Sequence, residues 1–345
     1  MDLKAALIAF GQKLVAYIEV ARVSVIFMGL PFAMAGAAYA LSITGVPVPL
    51  IQVIAGMIAV FLVTGAVHTI DDYFDRQRDR QLWPDRQIPS RGLNPKAAIL
   101  IYIISCGIGL ALTIIFINVY CFIILFLATT WATAYTGYLR EKYGYLTLPF
   151  AIGLFPIGGY VAFSPQTLWT DPIPWILYGM VFLWQSAHIL AYSPPHGVEK
   201  GKTVVPMFLK RFSPETTLIF AGVFAGACMI VGIVVYLLTS LSSLYLGITV
   251  GVGMLLICGS FYFSRNLTVK NCMFLTFLNS MYGWLMFIFM TLEYLYRYDL
   301  LFFYVALTIA ILMMAITPVL GGFGEPSIQI SNAERKKRGR FSLII

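Results

Sequence analysis

Between residues 68 and 92 the chain reads HTIDDYFDRQRDRQLWPDRQIPSRG, with five aspartates and five arginines set into an otherwise apolar sequence. On a helix, Asp71, Asp75 and Asp79 stand four residues apart, and Asp72 joins their side by its three-residue step to Asp75. Carboxylates spaced this way lie about 5–6 Å apart and repel one another unless protons, arginines or divalent cations come between them. Mg2+ takes oxygen ligands, keeps several waters and commonly bridges one or two carboxylates to a substrate phosphate. The spacing therefore points to a site for Mg2+ and a diphosphate. The plainer alternative is a polar helix end meeting water, each aspartate paired to a nearby arginine. Four carboxylates on one face exceed what helix capping needs.

The elements that must carry this cluster are membrane spans. With 345 residues, 60% of them hydrophobic and 11% charged, and a mean hydropathy of +0.85, the chain lies far from soluble globular composition. It reads as one polytopic, all-α membrane domain over residues 1–345. Ten apolar segments, near 23–42, 49–70, 97–116, 118–138, 146–164, 173–193, 216–240, 243–264, 271–292 and 300–320, each approach the roughly 20 residues that cross a bilayer. Residues 1–22 lack the apolar run and cleavage site of a signal peptide and read as an amphipathic helix on the membrane surface. The five cysteines fall in or beside apolar segments without metal-ligand spacing, and read as small hydrophobes.

Charge sets the orientation. With the amino terminus inside, 22 of the 23 basic residues fall on cytoplasmic segments, Arg297 being the exception. Such a bias predicts both termini, the aspartate cluster and a basic tail at 322–345 on the cytoplasmic side of the plasma membrane. The net charge of +8 then reflects topology and anionic lipid rather than nucleic acid, and no protein partner is called for. The spans carry no Lys, Arg, Asp or Glu near their centres, which weighs against an ion-coupled transporter. Pro149, Gly153, Pro156, Gly158 and Gly159 predict a bent fifth span or one that leaves room for something packed against it. Setting His68 on His188, an offset of 120 residues, gives a weak internal echo and a two-fold bundle with a pocket between its halves.

These residues together resemble the UbiA superfamily of intramembrane prenyltransferases. Its first motif, NDxxDxxxD, is similar to Asp71, Asp72, Asp75 and Asp79, with aspartate in place of the leading asparagine, and its continuation resembles residues 84–92. Arg22 resembles the first-helix arginine of the family, and AYTGYLREKYG its tyrosine and basic segment, with Tyr135, Tyr138, Arg140 and Lys142. In the second half the usual second aspartate cluster gives way to SPPHGVEKGKTVVP, and FLWQSAHILA at 182–191 is similar to the protohaem farnesyltransferase branch.

The resemblance implies nine to ten spans around a central apolar cavity open to the cytoplasm. It implies Mg2+ on Asp72, Asp75 and Asp79, and a prenyl diphosphate donor neutralised by Arg22, Arg76, Arg86, Arg140, Lys142 and Lys202. The allylic cation would be captured by a lipophilic acceptor, whether aromatic, quinone precursor, tetrapyrrole or lipid. Asp71, Tyr135 and Tyr138 complete the expected site. Glu199 is read either as a replacement for the missing second cluster or as a solvated loop residue beside Lys200. His68 could orient a carboxylate or be a satisfied intramembrane histidine, His188 could contact the acceptor or tie helices together, and His196 could stand in for an acidic ligand. Two alternatives remain at this level: a cyclase of the same superfamily, and a non-catalytic lipid-binding or transport protein.

Overall fold

A computed structural model describes residues 23–45, 47, 49–82, 88, 94–193 and 212–319. The expected surface helix at 1–22, the basic tail at 322–345 and the residues Arg22, Arg86, His196, Glu199 and Lys202 lie outside the described residues. Every regular element described is helical: α1 (Val23–Thr44), α2 (Leu50–Leu82), α3 (Pro95–Phe116), α4 (Val119–Ala134), α5 (Arg140–Tyr143), α6 (Pro149–Ile152), α7 (Leu154–Phe163), α8 (Ile173–Tyr192), α9 (Pro214–Leu238), α10 (Ser243–Arg265), α11 (Val269–Tyr298) and α12 (Leu300–Val319). Among the described residues eight helical stretches are long and apolar enough to cross a membrane, and Gly29–Thr44 is a shorter apolar one.

Local sequence explains where several helices begin. Asn94, Asn118, Ser213, Ser242 and Thr268 sit in extended backbone and accept a hydrogen bond from an N–H of the first turn of α3, α4, α9, α10 and α11. Proline opens α3 and α9 at the position where its missing N–H costs nothing. The matched starts, Asn94 followed by Pro95 and Ser213 followed by Pro214, fall close to the offset set by the two histidines. The pairings match too, since α2 packs along α3 as α8 packs along α9.

The middle of the bundle is held by α1, which packs along both α7 and α11. Gly36 and Gly159 make the first of these crossings possible, because a Cβ on either would collide with the carbonyl oxygen of Pro156 or Ala33 across the interface. Small residues let backbones approach in this way where water supplies no drive for association. Phe32 of α1 lies 4.9 Å from Trp184 of α8 and 4.8 Å from Phe287 of α11, centroid to centroid, and the Trp184 Nε1 donates to the Asn279 carbonyl at 2.7 Å. These buried rings join the two halves. The fifth span bends as its composition predicts: the helix breaks between α6 and α7 at Gly153, against which Tyr178 is packed.

The second span outruns its apolar stretch. That stretch is expected to end near residue 70, and α2 carries the helix on to Leu82 through all four aspartates, as their spacing supposes. Its 33 residues make a rod about 50 Å long, well beyond the roughly 30 Å of a hydrocarbon core.

Candidate functional site

Because α2 stays helical, its acid ladder keeps a single face. Asp72, Asp75 and Asp79 are 4%, 5% and 0% exposed, while Phe74 and Gln77 between them are turned outward. Opposite this face lies the end of α4, where the chain makes one π-helical turn, Tyr135–Leu139, before α5 begins at Arg140. The Arg140 N–H reaches back to the Tyr135 carbonyl across that turn. Phe74 of α2 rests against Gly137, where a Cβ would stand 3.3 Å from its ring, so the glycine lets the two elements meet.

Arg140 closes the patch. Its Nη1 donates to Asp71 Oδ1 at 3.0 Å, and its Nη2 donates to Asp75 Oδ1 and, at 3.4 Å, to the Thr136 carbonyl. Its guanidinium carbon stands 5.6 Å from the centroid of the buried Tyr135 ring, within reach of a cation–π attraction. A buried arginine between two carboxylates is a strong, directional arrangement, since each hydrogen bond is charge-assisted.

Mg2+ is the group that this donor set suggests. Among the described residues no three His, Cys, Asp or Glu side chains converge as a metal cage. Asp72 and Asp79 are seven residues apart, about 10 Å along the helix, so a single ion would meet a neighbouring pair of the three. Neighbouring pairs remain suited to an ion that asks for one or two carboxylates and takes its other oxygens from water and phosphate. The buried, all-oxygen acid face fits Mg2+ on those terms.

A cavity of about 90 Å³ lies elsewhere on the same helix. It is bounded by Leu30 and Met34 of α1, Gly56 and Val60 of α2, Leu125 of α4 and Phe155 of α7, among others. Val60 is twelve residues, or about 18 Å, from Asp72. This apolar cavity lies within the first half of the bundle, toward the end of α2 remote from its acids, rather than beside them or between the two halves as expected.

A model of the UbiA prenyltransferase family matches residues 29–281. The chain belongs to that family. Among curated proteins it is 34% identical over 112 residues to a digeranylgeranylglyceryl phosphate synthase of Methanothrix thermoacetophila, covering 32% of this chain and 42% of the relative. It is 28% identical over 154 residues to a protohaem IX farnesyltransferase of Microcystis aeruginosa, covering 42% and 47%. The matches thus span less than half the length of either relative. Two solved structures share the fold. One, from work on digeranylgeranylglyceryl phosphate synthase in membranes, superposes with a TM-score of 0.63 at 19% identity, covering 82% of this chain and 99% of the other. The other, a UbiA homologue from Archaeoglobus fulgidus bound to GPP and Mg2+, gives 0.52 at 15% identity, covering 79% and 99%.

Within this UbiA fold the remaining expected residues divide. Tyr135 and Arg140 join the acid face; Arg76, Tyr138 and Lys142 do not. Arg76 is committed to its own helix, donating to the Tyr73 carbonyl at 2.6 Å with its guanidinium carbon 4.3 Å from the Tyr73 ring centroid. Tyr138 is 54% exposed, and the Lys142 Nζ lies 5.1 Å from the centroids of both Tyr138 and Tyr143 on the outward side. His188 stacks on Trp184 at 5.7 Å, with its Nδ1 3.4 Å from Ser280 Oγ, which ties α8 to α11. His68 lies on α2 one turn before Asp72 and is half-buried. Sequence reasoning missed Thr136 and Gly137, whose roles depend on the π turn. No local signal in YTGYL marks one.

Proposed function

We propose that this UbiA-family chain is an intramembrane prenyltransferase that moves an isoprenyl group from an allylic diphosphate to a lipophilic acceptor. One observation carries the reading: a buried row of carboxylates, Asp72, Asp75 and Asp79, set with a buried arginine at one end of an apolar helical bundle. Burying such charges is costly, and a bundle needing only stability would do better with apolar side chains there. A site that must grip a charged leaving group while its tail stays in oil has reason to keep them.

Neighbouring pairs among Asp72, Asp75 and Asp79 would hold Mg2+, which supplies positive charge to the departing diphosphate. The bond between the allylic carbon and the diphosphate oxygen breaks, and its electron pair leaves with the oxygen. An electron-rich atom of the acceptor bonds to that carbon, and the proton it sheds passes to diphosphate or water. Burial of the acid face keeps bulk water from competing for the cation. The buried Tyr135 offers a ring face toward positive charge, and the apolar walls beside α2 accept the tail. The chain is one membrane domain in this reading, with the acid end of α2 and both termini on the cytoplasmic side.

The test is incubation of the purified full chain in nanodiscs with labelled prenyl diphosphates, Mg2+ and a panel of quinone-precursor, lipid and tetrapyrrole acceptors. A prenylated acceptor is expected, formation of which stops on chelation with EDTA and resumes on adding Mg2+. Asp72→Ala and Asp75→Ala are expected to lower turnover by several orders of magnitude. Release of a hydrocarbon with no acceptor present would point to the cyclase, and undiminished function in both variants would overturn the enzyme reading.

A further inference from the structure

Arg140 occupies an unusual place for a side chain expected to meet a diphosphate. It is 7% exposed, and both its Nη atoms are already engaged by Asp71 and Asp75. Asp75 is also one of the residues assigned above to the metal. One carboxylate thus has two claims on it, a guanidinium and a divalent cation, and like charges cannot share it closely without repulsion.

Resting on the prenyltransferase reading, we infer that Arg140 is a resident counter-cation of Asp71 and Asp75. It positions Asp71 and Asp75 before substrate arrives, and gives up Asp75 when Mg2+ enters together with a diphosphate, whose oxygens receive the freed guanidinium. Mg2+ alone would take Asp75 from a buried guanidinium that keeps Asp71 but gains no acceptor in exchange, and leaving part of a buried charge uncompensated opposes metal entry. A diphosphate supplies the missing acceptor, and a planar guanidinium is well matched to it. The consequence is order: the protein takes up metal and diphosphate as a pair and resists metal by itself.

The backbone provides for such a move. Arg140 follows directly on the π turn Tyr135–Leu139, whose extra residue rotates every later side chain by about 100° relative to a continuous α-helix. That offset directs Arg140 at α2, and one local change of register would redirect it without disturbing α4. The Tyr135 ring beneath the guanidinium steadies it in the resting position.

The experiment is calorimetric titration of the full chain in nanodiscs with Mg2+ alone, and with inorganic pyrophosphate at saturating Mg2+. Wild type is expected to bind Mg2+ alone weakly. Arg140→Met is expected to bind Mg2+ alone about tenfold more tightly and pyrophosphate about tenfold more weakly. Arg140→Lys keeps the charge but cannot span both carboxylates, and should fall between the two for Mg2+; it also serves alone if the methionine variant does not fold. A merely structural arginine would lower thermal stability and leave the Mg2+ affinity unchanged or weaker, and that result overturns the inference. If wild type fails to bind pyrophosphate even with Mg2+, the prenyltransferase reading itself fails. If wild type binds the pair but neither variant tightens on Mg2+ alone, only the exchange fails.

Discussion

His188 puts a chemical role and a packing role to a direct test. Its ring is stacked on Trp184 and its Nδ1 meets Ser280 across the α8 and α11 interface. Replacement by phenylalanine keeps the stack and loses the polar contact. His188→Phe is expected to cost about 1 kcal/mol, seen as a lower Tm in detergent, while turnover stays within about threefold of wild type. A loss of turnover by orders of magnitude would instead place this histidine at the acceptor. The acid ladder, by contrast, was legible in the sequence, because Asp71, Asp72, Asp75 and Asp79 need only helical periodicity to share a face. What was not legible was which cation they meet. Five arginines stand within the same segment, yet Asp71 and Asp75 are claimed by Arg140, some 65 to 69 residues away. Tertiary placement adds a partner that local spacing does not announce, while Arg76, the nearest arginine in sequence, lies along its own helix against Tyr73.

The crossing of α1 over α7 depends on two absent methyl groups. Gly159→Leu must push the two backbones apart or break one helix, and is expected to destabilise the protein by about 3 kcal/mol or more. Gly107→Leu is the control, since nothing lies within 4 Å of a Cβ there. Thermal unfolding of the two variants side by side tests the contrast, and equal Tm values would count against a close crossing. At this scale the helix starts were readable from residue type, as at Asn94 with Pro95 and Ser213 with Pro214. Helix ends were not. The apolar stretch of the second span stops near 70, while α2 carries on to Leu82 with Asp72, Asp75 and Asp79 buried. Within the π turn Gly137 meets Phe74, a contact no local pattern announces.

Across the whole molecule, α2 joins a buried acid face to an apolar cavity about 18 Å away along one rigid axis. If that cavity holds the far end of the donor, filling it should act on chain length alone. Gly56→Phe is expected to cut turnover of geranylgeranyl diphosphate at least tenfold, a barrier increase of about 1.4 kcal/mol, and to leave dimethylallyl diphosphate within about threefold. Equal losses with every donor would show that the cavity serves packing. The two-fold echo in the sequence survives in the helix pairings, whereas the cavity arises only where α1, α2, α4 and α7 fail to fill space together, which pairwise patterns do not reveal. The excess length of α2 has its own consequence. A helix about 50 Å long exceeds the roughly 30 Å of a hydrocarbon core, so one that crosses it has about 20 Å to spare, and the polar end bearing the aspartates is the end suited to water. In the proposed reaction, diphosphate released at that end would dissolve into water as the lengthened hydrocarbon product diffuses sideways among lipids, and two products that part into different phases seldom meet again to run the reaction backwards.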